Sequence, residues 1–171
     1  MTVGEALDMP ERRDLHMPLD DIDRRLIGVL RRRPRSSVSE MARLTGLARG
    51  TVHDRIRRLE ARRVIVGYGP DIEPRSAGFG VCAFSTLTIA QGAHESTVRA
   101  LSEIDEILEI HTVTGRGDLL VKIVATTNDD FHGTLQRIAA IDAVRRTETL
   151  LALHTGLLRN VADLVAAGTS S

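Results

Sequence analysis

Aromatic side chains are scarce: the 171-residue chain has no tryptophan, one tyrosine and three phenylalanines. The stacking platforms on which single-stranded nucleic-acid binders lay their bases are therefore missing. Cysteine is nearly absent too. Cys82 stands alone, which excludes an internal disulfide and fits a reducing compartment; a free thiol of this size is expected in the core. Apolar runs such as Leu119–Val121 are far too short to cross a bilayer. The acidic, mixed N-terminus lacks the basic-then-apolar order of a secretory signal. A cytoplasmic protein without a membrane partner is expected. The six histidines (His16, His53, His94, His111, His132 and His154) show no paired metal-ligand spacing, so no metal or other cofactor is expected. Nucleophile elbow, phosphate loop and dinucleotide fingerprint are also missing, and the chain reads as a non-enzyme.

Net charge is zero, yet the charge is unevenly spread. Residues 18–66 carry thirteen arginines against six acids, a net of +7. Residues 67–171 carry eight basic residues against thirteen acids, a net of −5. A basic module fused to an acidic one fits a nucleic-acid binder joined to a second domain. The competing reading is a three-helix bundle whose solvated face happens to be basic.

Residues 1–17 show no apolar period and read as a disordered extension. From Leu19 a helical stripe begins, Ile22, Leu26, Ile27 and Leu30, with Asp20, Asp21 and Asp23 at its start and Pro34 past its end. Ser37-Val38-Ser39-Glu40 is a capping box opening a second, short helix that Gly46 ends in a left-handed conformation. A third helix starts near Arg49 and buries Val52, Ile56 and Leu59. Two helices joined by a tight glycine turn form a helix-turn-helix. Val64–Tyr68, β-branched, reads as the strand of a wing.

On the third helix, Gly50, His53, Asp54 and Arg57 point most directly away from the buried stripe, with Thr51 and Arg58 to one side. Such a helix fits the major groove, where arginine reads guanine and aspartate accepts from cytosine. Arg49, Arg55 and Arg58 are expected to contact phosphates. The candidate DNA-contacting set is therefore Ser37, Arg49, Gly50, Thr51, His53, Asp54, Arg55, Arg57 and Arg58, and double-stranded DNA is the expected partner.

Pro70, Pro74, Gly78 and Gly80 mark a linker over 69–79. Beyond it the periodicity predicts strand 80–89, helix 94–104, strand 107–114, strand 118–126, helix 129–139 capped by Asn128, and strand 144–154. This βαββαβ order is ferredoxin-like, and with the N-terminal helices it makes an α+β protein. The expected domains are 18–68 for the winged helix-turn-helix and 80–155 for the ferredoxin-like unit, followed by a helix and tail over 156–171. One sheet face is left partly apolar, which argues for a homodimer. The final helix, 157–167, either joins dimers or covers its own subunit.

Gly115-Arg116-Gly117-Asp118 is a glycine-rich turn between two strands. It reads either as a plain hairpin turn or as an effector loop, whose backbone N–H groups approach a carboxylate while Asp118 pairs with an ammonium. Arg116 either holds the carboxylate or points to solvent, and Thr147 and Thr149 offer hydroxyls from the last strand. Its Arg-Gly-Asp tripeptide is not read as an adhesion signal.

Taken together, the sequence resembles the Lrp/AsnC (leucine-responsive, feast/famine) family of prokaryotic transcription factors. The resemblance rests on Leu19–Asp23, Thr51–Glu60, Val64–Tyr68, Val113–Asp118 and Val144–Thr149, in order and spacing, and spans residues 18–155. It implies a winged helix-turn-helix followed by an effector-binding domain, a dimer at least and commonly an octamer, and a response to amino acids. It also favours the effector reading of the glycine turn. The competing function is an architectural DNA-wrapping protein without a ligand. Two positions depart from the family pattern. Ala48 stands where a capping serine is usual, a loss of about 1 kcal/mol. Arg63 stands where glycine usually ends the third helix, and is expected in a poor backbone region.

Overall fold

The fold is that of a computed structural model, which describes residues 18–168; the extension expected over 1–17 lies outside the described residues. The chain divides into two compact units, one over residues 72–156 and one that joins the helices before Asp71 to the segment after Leu157.

In the helical unit, α1 (Asp21–Arg32), α2 (Val38–Thr45) and α3 (Arg49–Ala61) follow one another closely. Asp20 caps α1: its carboxylate accepts from Asp23 N at 2.9 Å, and Asp23 accepts in return from Asp20 N. Ser37 caps α2 by accepting from Glu40 N at 3.2 Å, while the Glu40 carboxylate turns to Arg33 instead of completing the box. Gly46 adopts φ 69° and ends α2, a conformation that a Cβ would strain. Leu26, Val52 and Leu59 are fully buried, with Ile27, Val29, Met41, Ala42 and Ile56 around them.

Both family departures carry the expected signature. Ala48 makes no side-chain cap to α3, and Arg63 sits at φ 54° just past its end. A left-handed non-glycine residue costs about 1–2 kcal/mol. Arg63→Gly is therefore expected to raise the stability of this unit by about 1 kcal/mol after glycine's extra unfolded-state entropy is subtracted. A thermal midpoint that falls instead would show that the strain is relieved by Arg63 contacts.

Val64–Tyr68 corrects the expected wing: it forms no strand. Val64 N and Ile65 N both donate to Leu59 O, so the segment folds back on the end of α3. A β-branched run becomes a strand only beside a partner strand, and no described residue pairs with it. A further helix, α6 (Val161–Ala167), belongs to this unit, its Ala162 and Val165 packing against the apolar core under α1. It starts four residues later than expected, at the Asn160 cap.

The other unit is a four-stranded antiparallel sheet whose strands, numbered along the chain, lie side by side as second, third, first and fourth. Its strands are β1 (Val81–Ile89), β2 (Ile107–Thr112), β3 (Leu119–Ala125) and β4 (Val144–Leu151), with helices α4 (His94–Ser102) and α5 (Asn128–Ala139) crossing between them. The βαββαβ order is as expected, with the four strands and α4 trimmed by up to three residues and α5 begun one residue earlier. Thr127, one residue earlier than expected, caps α5 by accepting from Asp130 N. Ala83, Leu87, Val121, Ile123, Leu101 and Ile138 form the core between the sheet and the helices. Side chains alternate across the pleat, which puts Phe84 on the other face, between Lys122 and Leu150. Leu150 is 74% exposed and Phe84 38%. Cys82 lies half-buried opposite Val124 instead of in the core.

Candidate nucleic-acid interface and effector site

The buried stripe of α3 fixes its outer face. With Val52, Ile56 and Leu59 turned into the core, Arg49, Gly50, Thr51, His53, Asp54, Arg57 and Arg58 are all exposed. His53 and Asp54, adjacent at the centre of this face, approach to 3.6 Å, with side chains 56% and 75% exposed. Arg57 and His53 line a groove of about 480 Å³ together with Arg35 and Ser37. Ser36, beside them, has a buried hydroxyl without a hydrogen-bond partner. Arg35, Ser37, His53 and Arg57 thus place four groups able to donate to phosphate or to base edges along one groove. Arg35 is absent from the sequence-derived set; its signal was the Arg31-Arg32-Arg33-Pro34-Arg35 run just before the α2 cap.

Arg55 is placed differently. Its guanidinium turns back to α1 and pairs with Asp20 and, at 3.2 Å, with Asp23. The hydrogen bond to Asp20 raises the Arg55 pKa further above its ordinary value. The Asp20 carboxyl is held below its usual range, first by the Asp23 N–H it caps and then by Arg55. Arg55 thus fastens α3 to α1 and is drawn away from the phosphate contact expected of it.

At one end of the sheet, Val113 N donates to Asp118 O and closes the turn, with Gly115 at φ 119°. Asp118 N donates to Leu87 O at 2.9 Å, and its carboxylate accepts from Ile89 N at 2.8 Å. Gly117 lies so near β1 that a Cβ there would stand 3.1 Å from Leu87 O. Thr147 is opposite Leu87 on β4, so it shares this end with the turn. Thr149 is two residues, about 7 Å, further along the strand, and its hydroxyl is bonded to Ser85 Oγ at 2.7 Å. Arg116 is exposed at the tip. His94 Nε2 meets Thr112 Oγ1 at 2.7 Å at the same end of the sheet, a pair that sequence reasoning left out because only the topology joins α4 to the end of β2.

Residues 19–60 match the family model described as the AsnC-type helix-turn-helix domain, and residues 82–160 match the Lrp/AsnC ligand binding domain. The HTH-type transcriptional regulator FL11 of Pyrococcus horikoshii is 31% identical over 141 residues, 82% of this chain and 93% of that protein. The chain belongs to the Lrp/AsnC family of transcriptional regulators. Its fold is that of solved Lrp/AsnC structures. Escherichia coli AsnC aligns with a TM-score of 0.77 at 25% identity, over 85% of this chain and 99% of that one. The feast or famine regulatory protein of Mycobacterium tuberculosis, complexed with L-methionine, aligns at 0.73 and 31% identity, over 82% and 96%. Regulators of the Lrp/AsnC family are not enzymes, and these relatives give the architectural alternative no support.

Among the described residues of this Lrp/AsnC protein, no cluster of histidine, cysteine and acid side chains could hold a metal. Among the same residues, no helix is long and apolar enough to cross a membrane.

Proposed function

We propose that this regulator binds double-stranded DNA by laying the outer face of α3 in the major groove, and that a free amino acid at the Gly115–Asp118 end of the sheet alters its assembly or DNA affinity. One observation carries the first half: apart from Arg55, the arginine-rich side of α3 is exposed while its apolar side is buried. Gly50, His53, Asp54 and Arg57 face bases, with Thr51 at the flank. Arg49, Arg58, Arg35 and Ser37 hold phosphates and set register. The turn supports the second half, because its backbone approaches β1 closely and an aspartate stands at its base. The M. tuberculosis relative, solved with L-methionine, suggests the ligand class.

The apolar outer face around Phe84 and Leu150 is the proposed contact between two copies, and a dimer reads half-sites about one helical turn apart. Sedimentation distinguishes the dimer from an octamer built of dimers; a monomer at micromolar concentration overturns the contact. DNA binding measured with and without each amino acid tests the ligand. Asp118→Ala is expected to remove the ligand-induced change while leaving ligand-free DNA affinity within twofold. It also deletes the bond from Ile89 N, a loss of about 1 kcal/mol in the sheet unit. An unchanged ligand response in that variant would sink the assignment.

A further inference from the structure

One guanidinium holds both ends of the chain that enter and leave the DNA-binding unit. Arg31 Nε donates to Asp163 Oδ1 at 2.7 Å and its Nη2 to Asp163 Oδ2 at 3.3 Å, a fork onto α6. Its Nη1 donates to Asp71, in the linker segment where the first stretch of this unit ends. Asp163 is held below its usual pKa first by this Arg31 bond, so it is an anionic partner at neutral pH. Beside the clamp α1 and α6 come close: a Cβ on Gly28 would lie 3.4 Å from Ala166 Cβ. Yet no residue of α6 is fully buried, and Val161 and Leu164 stay 72% and 61% exposed. A seven-residue helix without a fully buried residue is an element of low local stability. It begins at residue 161, just beyond the residues that match the family's ligand-binding domain.

We propose that α6 is a releasable strap. Docked on α1, it ties the DNA-binding unit to the end of β4 by a second tether, residues 152–160, besides the linker before β1. Released, it leaves that unit on the linker alone. A reading head on two tethers samples fewer positions than one on a single tether. The docked strap therefore makes a dimer selective for half-site spacing, and release relaxes that selectivity. This inference rests on the proposed DNA reading.

The test compares the full-length protein with Arg31→Gln, which removes the clamp from the α1 side, and Val165→Asp, which breaks the apolar contact from the α6 side. Hydrogen exchange of the α6 amides is expected to speed up at least tenfold in both variants. Duplexes selected by the wild-type protein, with two base pairs inserted between half-sites, should bind the wild type at least tenfold more weakly and the variants less than threefold more weakly. Single half-site duplexes should bind all three within twofold. Unchanged α6 exchange, or variants that discriminate spacing like the wild type, overturns the strap. If the wild type binds no duplex, the DNA reading itself falls, and exchange alone decides whether Arg31 holds α6.

Discussion

Leu59→Ala is expected to destabilise the DNA-binding unit by about 2–5 kcal/mol, the range for deleting a fully buried leucine. Leu59 is 0% exposed and meets Leu26 and Val52 in a core of only eight buried apolar residues. Its carbonyl also accepts from Val64 N and Ile65 N at 2.8 and 3.2 Å, so a collapse at this position would disturb the segment that closes α3. Small units have little stability in reserve. Calorimetry should show the transition of this unit falling by several degrees while the sheet unit, whose core is separate, keeps its own. A loss under 1 kcal/mol would mean that the core can close over the cavity.

Arg57→Ala is expected to weaken binding to a selected duplex by about 1–3 kcal/mol and to relax the preference at one base pair. The exposed Arg57 side chain shares its groove with His53 and Arg35, so it is placed to reach a base edge. Arg58→Ala should behave differently, lowering affinity on every sequence and reducing the salt slope by about 1, as loss of a phosphate contact does. Arg55→Ala makes a third pattern. Its partners are Asp20 and Asp23, so the loss should appear in thermal stability before it appears in sequence preference. Titrations at several salt concentrations separate the three. If Arg57→Ala and Arg58→Ala both bind within twofold of the wild type, α3 is not the reader.

Much of this was legible because helices announce themselves locally. The stripe through Val52, Ile56 and Leu59 set the outer face of α3, and Ser37 and Gly46 set the limits of α2 through hydrogen bonding and backbone freedom that depend on near neighbours. What escaped depends on distant partners. Val64–Tyr68 has strand composition, but composition supplies no partner strand. Arg55 lies beside the arginines proposed to face phosphates, yet two aspartates more than thirty residues away draw it back. Thr147 and Thr149 looked equivalent on one strand face; the pairing with Leu87 and Ser85 puts only Thr147 at the turn. The place of α6 could not be read from its own stripe, because that stripe fits any apolar surface.

The contact between α1 and α6 also bears on how the protein is made. The DNA-binding unit contains almost the first residues described and almost the last, Leu19 and Ile22 at one end and Ala162 and Val165 at the other. A growing chain emerges from its N-terminus, at about 5–20 residues per second. The sheet unit can close as soon as β4 is free. The reading head waits for residues 161–167 before Arg31 has its Asp163 partner, so helices synthesised before the sheet unit are completed after it.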